Sequence, residues 1–121
     1  MGKFQVKNAG NGQSFNLLAT NGQIIASSQV YHSKRTLLGG IASVQKNCAA
    51  PVEDQTEEGF QKLANPKFEV YLDKAKKFRF RLKAKNGQII AVGEAYESKK
   101  TCLAGIASIG KNAPDAPIVE A

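Results

Sequence analysis

Aspartate and glutamate are absent from residues 1–52, where the only charged side chains are Lys3, Lys7, Lys34, Arg35 and Lys46. Any pair of carboxylates for general acid–base work must therefore come from residue 53 onward, and Asp73, Glu94, Glu97 and Asp115 show no motif spacing there. Histidine is as scarce. His32 is alone, which excludes histidine clusters that hold a metal, and the two cysteines lack zinc-site spacing. Cys48 and Cys102 also occupy non-equivalent places, so no disulfide framework is expected. Long apolar runs are missing as well. Nothing approaches the roughly 20 residues of a membrane span, and Met1-Gly-Lys-Phe-Gln-Val-Lys lacks the core of a signal peptide, so a soluble, cytoplasmic protein without a membrane partner is expected.

What the chain does contain is a duplication. Asn21-Gly-Gln-Ile-Ile-Ala returns as Asn86-Gly-Gln-Ile-Ile-Ala, and between Asn21–Asn47 and Asn86–Asn112, 17 of 27 positions are identical. A chain of 121 residues suits one domain, whereas half of it lies near the lower limit for independent folding, so the halves are expected to complete one core. The organisation expected is a single domain over 1–121, with repeat one at 3–53, a connector at 54–66 and repeat two at 67–120. Net charge is +7, both repeats are basic, and Glu53, Asp54, Glu57 and Glu58 make the join acidic.

The second copy reads most clearly. Lys67 to Leu72 suggests a strand, and Asp73-Lys-Ala-Lys a turn. Phe78, Phe80, Leu82 and Ala84 then alternate with Lys77, Arg79, Arg81, Lys83 and Lys85, the period of a half-buried strand. Asn86-Gly87 predicts a type I′ hairpin turn, which needs positive φ at both central residues, and Ile89 to Tyr96 predicts a third strand. Ser98 is a good N-cap for a helix carrying Leu103, Ile106, Ala107 and Ile109, closed by Lys111-Asn112. The first copy repeats this β-β-β-α unit: strands at Lys3–Val6, Phe15–Thr20 and Ile24–Tyr31, then a helix capped by Ser33 with Leu37, Leu38, Ile41 and Val44 inside. Gly10-Asn-Gly12 is expected to be a hairpin turn, and both tails, Ala50-Pro-Val-Glu and Ala116-Pro-Ile-Val-Glu, short edge strands. Thr56 to Ala64 predicts one or two helical turns with Phe60 and Leu63 facing the core. Gly40 and Gly105 fall at equivalent places inside helices, where glycine costs about 1 kcal/mol against alanine, so a close backbone approach to sheet or helix is expected there. The fold class expected is α+β, two tandem units forming one pseudo-symmetric antiparallel sheet with helices packed on it.

Phe78-x-Phe-x-Leu-Lys-Ala-x-Asn-Gly, the Ile-Ile pair, Tyr-x-Ser-Lys and Gly-Ile-Ala-Ser-Val/Ile-x-Lys-Asn together resemble the YegP-like family of small bacterial proteins, a domain of unknown function. The resemblance covers nearly the whole chain, although repeat one departs from the first motif with Ser14-Phe-Asn-Leu-Leu-Ala-Thr. It implies an α+β sheet-and-helix fold, tandem units in one chain or single units paired as homodimers, and brings no activity, cofactor or catalytic residue.

Two polar features remain. Lys77, Arg79, Arg81, Lys83 and Lys85 recur every second residue, placing cations about 6.5–7 Å apart on one strand face, close to phosphate spacing in a nucleic acid. Repeat one has Ser14, Asn16, Leu18 and Thr20 at the last four of those places, so the row is no requirement of the fold; a solvated face that resists edge aggregation is the plainer reading. Ser-Lys-Arg/Lys-Thr opens both helices, placing Lys34, Arg35, Lys99 and Lys100 beside free backbone amides, where an anion could bind, or where capping and solvation suffice. The expected function is a non-enzymatic module that binds polyanions such as nucleic acid or an acidic protein; the alternative is protein interaction or self-assembly through sheet edges. No catalytic residue, cofactor or metal is expected, and the chain is expected to be a monomer or homodimer.

Overall fold

The computed structural model describes residues 2–120. The order of elements is β1 (Lys3–Ala9), β2 (Gly12–Leu18), β3 (Ile24–Ser27), α1 (Lys34–Asn47), β4 (Val52–Asp54), β5 (Lys67–Leu72), β6 (Phe78–Lys83), β7 (Ile89–Gly93), α2 (Lys99–Asn112) and β8 (Ile118–Glu120). They form the expected α+β arrangement of two β-β-β-α units. One eight-stranded sheet runs β4-β5-β6-β7-β3-β2-β1-β8, so the third strands of the two repeats meet antiparallel at the centre. Both tails are strands, and they are exchanged. The tail of repeat one, β4, pairs parallel with β5 of repeat two, while β8 pairs parallel with β1.

Alternation sorts the strand residues. Phe4, Val6, Phe15, Leu17, Phe68, Val70, Phe80 and Leu82 face the helices and are almost wholly buried. Leu37, Ile41 and Val44 from α1 and Cys102, Ile106 and Ile109 from α2 complete a single core. Each helix crosses the central seam: α1 lies over β2 and β7, α2 over β6, β3 and β2. This crossing joins two half-sized units into one hydrophobic interior.

Several expectations need correction. Leu38 and Leu103 point outward, at 38% and 39% exposure, because the buried stripes run 37-40-41-44 and 102-105-106-109, one residue away. The Asn21-Gly22 and Asn86-Gly87 turns are not type I′: only the glycines have positive φ, 86° and 84°. Each is a three-residue loop in which the glycine N–H donates to Ala19 or Ala84 and the asparagine Oδ1 accepts from Gln23 or Gln88. The Asx bond stabilises the loop, and the glycine supplies the one left-handed residue. Thr56 to Ala64 forms no helix, and Phe60 is 42% exposed. The Thr56 N–H bonds the Asp54 carboxylate, and Gly59 has φ of +72°, which ends any helical path.

Helix starts agree with expectation. Ser33 and Ser98 are extended N-caps whose hydroxyls accept from the Thr36 and Thr101 N–H groups at 3.1 and 3.2 Å. The two equivalent helical glycines admit a ring, where a close backbone approach was expected. A Cβ on Gly40 would lie 2.3 Å from the Tyr31 hydroxyl, and one on Gly105 2.4 Å from that of Tyr96. Those rings stack on Phe15 and Phe80, with centroids 6.2 Å apart in each case.

Candidate functional site

The basic row lies on the sheet face away from the helices, as its period requires. Arg79, Arg81 and Lys83 belong to β6, opposite Tyr71, Glu69 and Lys67 of β5. Lys77 precedes the strand, and Lys85 sits in the loop beyond it. Four of the five cations are engaged. Glu69 accepts from Arg81 Nε at 2.6 Å and pairs with Lys83 Nζ at 3.3 Å and Lys67 Nζ at 3.2 Å. Arg79 donates to the Gly93 carbonyl at 3.0 Å and stands 4.0 Å from Asp73, leaving its buried Nε without a partner among the described residues. Lys77 pairs with Glu97. Lys85 is exposed and makes no ion pair among the described residues. Tyr71 lies beside the row, with the Arg81 guanidinium 4.5 Å above its ring, and Tyr96 packs against the core.

Beneath the row is a buried charge cluster that periodicity did not reveal. Glu53 of β4, 2% exposed, accepts from Lys67 Nζ at 2.7 Å, the Leu63 N–H at 2.6 Å and Gln55 at 2.6 Å. Burial alone would raise its pKa, but these donors outweigh burial and hold the carboxyl at about 2. Glu69 is also held low: burial opposes ionisation, and the bonds from Arg81 and Lys67 overcome it. Lys67 is raised, chiefly by its bond to Glu53. The connector covers this cluster, since Leu63 supplies both its N–H to Glu53 and its carbonyl to Lys67 at 3.0 Å. Glu53 was legible only as one member of an acidic stretch; its exchange onto β5 gives it this role.

The helix-start cations divide. Lys99 is tied to Asp54 at 2.9 Å and Glu57 at 2.6 Å, whereas Lys34, Arg35 and Lys100 are exposed and make no ion pair among the described residues. His32 is exposed beside the Ser33 cap. Cys102 is fully buried at a core position, and burial pushes its thiol up to about 11; Cys48 is buried and its thiol is raised too. Neither is a poised nucleophile. Among the described residues no group of His, Cys, Asp and Glu is arranged to hold a metal, and no helix is long and apolar enough to cross a membrane.

A broad groove lies elsewhere. A groove of about 660 Å³ runs between α1 and the β6–β7 loop, lined by Val30, Tyr31, Gly39, Ser43, Asn86 and Ile90 among others. Smaller hollows continue it at both ends: one includes Ser33 and Lys34, the other Lys46 and Lys85.

Comparison with known proteins agrees with this architecture. The model of a domain of unknown function, DUF1508, matches twice, at residues 8–54 and 73–120. The UPF0339 protein YegP of Yersinia pestis is 45% identical over 113 residues, 93% of this chain and 88% of that protein. A UPF0339 protein of Treponema denticola is 72% identical over 54 residues, which span 45% of this chain and 93% of that shorter one. The solution structure of yegP from E. coli, described as a protein of unknown function, aligns with a TM-score of 0.78 at 32% identity, covering 98% of this chain and 91% of that one. The two DUF1508 matches, one in each repeat, together with these relatives establish that the chain belongs to the YegP-like UPF0339 family as a tandem-duplicated member.

Proposed function

We propose that this chain is a non-enzymatic binding module that takes polyanions such as nucleic acid through exposed cations. One observation carries this: Lys3, Lys7, Lys34, Arg35 and Lys46 of repeat one are all exposed, have no acidic neighbour in residues 1–52, and make no ion pair among the described residues. Lys100 and Lys85 add to them. The β6 row contributes less than its spacing promised, because Glu69 offsets part of the charge of Arg81 and Lys83. Phosphate binding of this kind is salt-dependent and largely indifferent to sequence.

Fluorescence anisotropy with labelled single-stranded DNA, duplex DNA and RNA, from about 50 to 200 mM salt, tests it. Log affinity should fall linearly with log salt, and Lys34→Glu/Arg35→Glu/Lys100→Glu should weaken binding about tenfold or more with the fold intact. Reversing Arg81 or Lys83 is a poor test, since it removes a counterion of the buried Glu69 and sets a second carboxylate beside it. Absence of binding at low salt would refute the proposal.

A second reading, self-assembly through the sheet edges, draws on the exposure of Val52 and Ile118, 39% and 47%, on the edge strands β4 and β8. Sedimentation velocity across concentration decides it: a strict monomer rules it out.

A further inference from the structure

We infer that the groove beside α1 is a binding site for a small amphiphilic anion, an apolar body bearing a carboxylate or phosphate. Its floor and walls are apolar at the centre, where Val30, Ile90, Ala84 and the Tyr31 ring meet the bare backbone of Gly39 and Gly40. Val30 is 42% exposed there. Its ends are cationic. Lys34 lies at the N-terminal end of α1, and Lys46 with Lys85 at the other, on the order of 18 Å along the helix axis. No Asp or Glu lines the groove or its two extensions among the described residues. A volume of about 660 Å³ is in the range of small-molecule sites.

The duplication provides the internal control. The matching surface beside α2 has Glu94 and Glu97 where this groove has Gln29 and His32, Ala104 where it has Gly39, and Thr20 where it has Lys85. Its Lys99, the counterpart of Lys34, is already paired with Asp54 and Glu57. Glu94 lines the hollow that lies there. Every one of these differences removes positive charge, adds negative charge or fills space, so the two grooves share a backbone while the first has unpaired cations and no carboxylate; beside α2, Lys111 keeps the place of Lys46 and Glu97 pairs with Lys77. Fold requirements cannot account for that, because both repeats build the same unit. Charge complementarity selects an anion for the first groove, and the apolar centre selects a ligand with a body to bury.

Gly39 makes the site testable. A Cβ there meets nothing within 4 Å, so Gly39→Leu starts its side chain in open space at the groove and replaces a poor helix former. The experiment is an amide NMR titration of the full chain with dodecanoate and with dodecyl phosphate, both below their micelle concentrations, and with dodecylammonium as the control. Expected are saturable shifts at Gly39, Gly40, Ser43, Asn86 and Ile90 with at least one of the anions and none with the ammonium. Gly39→Leu should weaken binding about tenfold, and Lys46→Glu/Lys85→Glu by a similar factor, while Ala104→Leu leaves it unchanged. The spectra themselves report whether each variant is folded. Shifts mapping to the α2 surface or the outer sheet face, equal binding of the ammonium, no saturation, or indifference to Gly39→Leu would each overturn the assignment. Gly39 carries no charge, so this outcome is separate from that of the nucleic-acid titration.

Discussion

Glu53 stands between two opposed physical demands. Burial resists its charge, and three donors, one of them the buried Lys67 ammonium, sustain it. Its pKa is about 2 in the folded chain against an ordinary 4.5, so its contribution to stability is complete above pH 4.5 and is lost as pH falls toward 2. Urea denaturation followed from pH 7 to 2 should show this loss, and Glu53→Gln should flatten it. At neutral pH the same variant should cost about 2–4 kcal/mol, since Lys67 keeps Glu69 but loses its shorter partner. Tyr31 and Tyr96 give a second expectation. Gly40→Ala and Gly105→Ala should each destabilise by about 1–3 kcal/mol through overpacking against the tyrosine rings. Tyr31→Phe should recover part of the Gly40→Ala loss, because it removes the atom at 2.3 Å and leaves the ring carbon at 2.7 Å. Denaturant midpoints of the double-mutant cycle measure that coupling.

Among the elements, the helices carry the most readable signals. Ser33→Ala and Ser98→Ala should each cost about 1 kcal/mol, because each serine satisfies a backbone N–H in the first turn that water would otherwise have to reach. Thermal or chemical unfolding of the two single variants checks this. Cap, amphipathic stripe and stop were all present locally, so both helices were legible. The stripe is narrower than its periodicity suggests at Leu38 and Leu103, since Leu38 adjoins the buried Leu37, and at 102–103 the smaller Cys102 takes the core place instead of the leucine. The connector was misread for a related reason. Phe60 and Leu63 have helical spacing, but Asp54 and Gly59 commit that backbone to turns.

For the molecule as a whole, the exchange of β4 and β8 ties each repeat to the other at the sheet edges, while the helices tie them across the seam. Unfolding should therefore be one cooperative transition, with Cys102 as its reporter. A thiol at 0% exposure with its pKa pushed to about 11 should react with a thiol reagent only at the rate of opening. Reaction faster than the opening measured by amide exchange would show that the halves separate independently.

The amino-acid sequence by itself determined the repeated β-β-β-α unit, both serine caps, the inward and outward faces of β6 and the basic character of repeat one, because each depends on residues within a few positions of one another. It could not show where each tail would pair, and so could not show that Glu53 would meet the buried Lys67, nor did it set the β5–β6 register that brings Glu69 opposite Arg81. The groove was equally hidden, since Lys34 and Lys46 lie on α1 of one repeat and Lys85 on the β6–β7 loop of the other. Only the tertiary structure decided these matters, because the energy of a charge depends on what long-range pairing brings within a few ångströms of it.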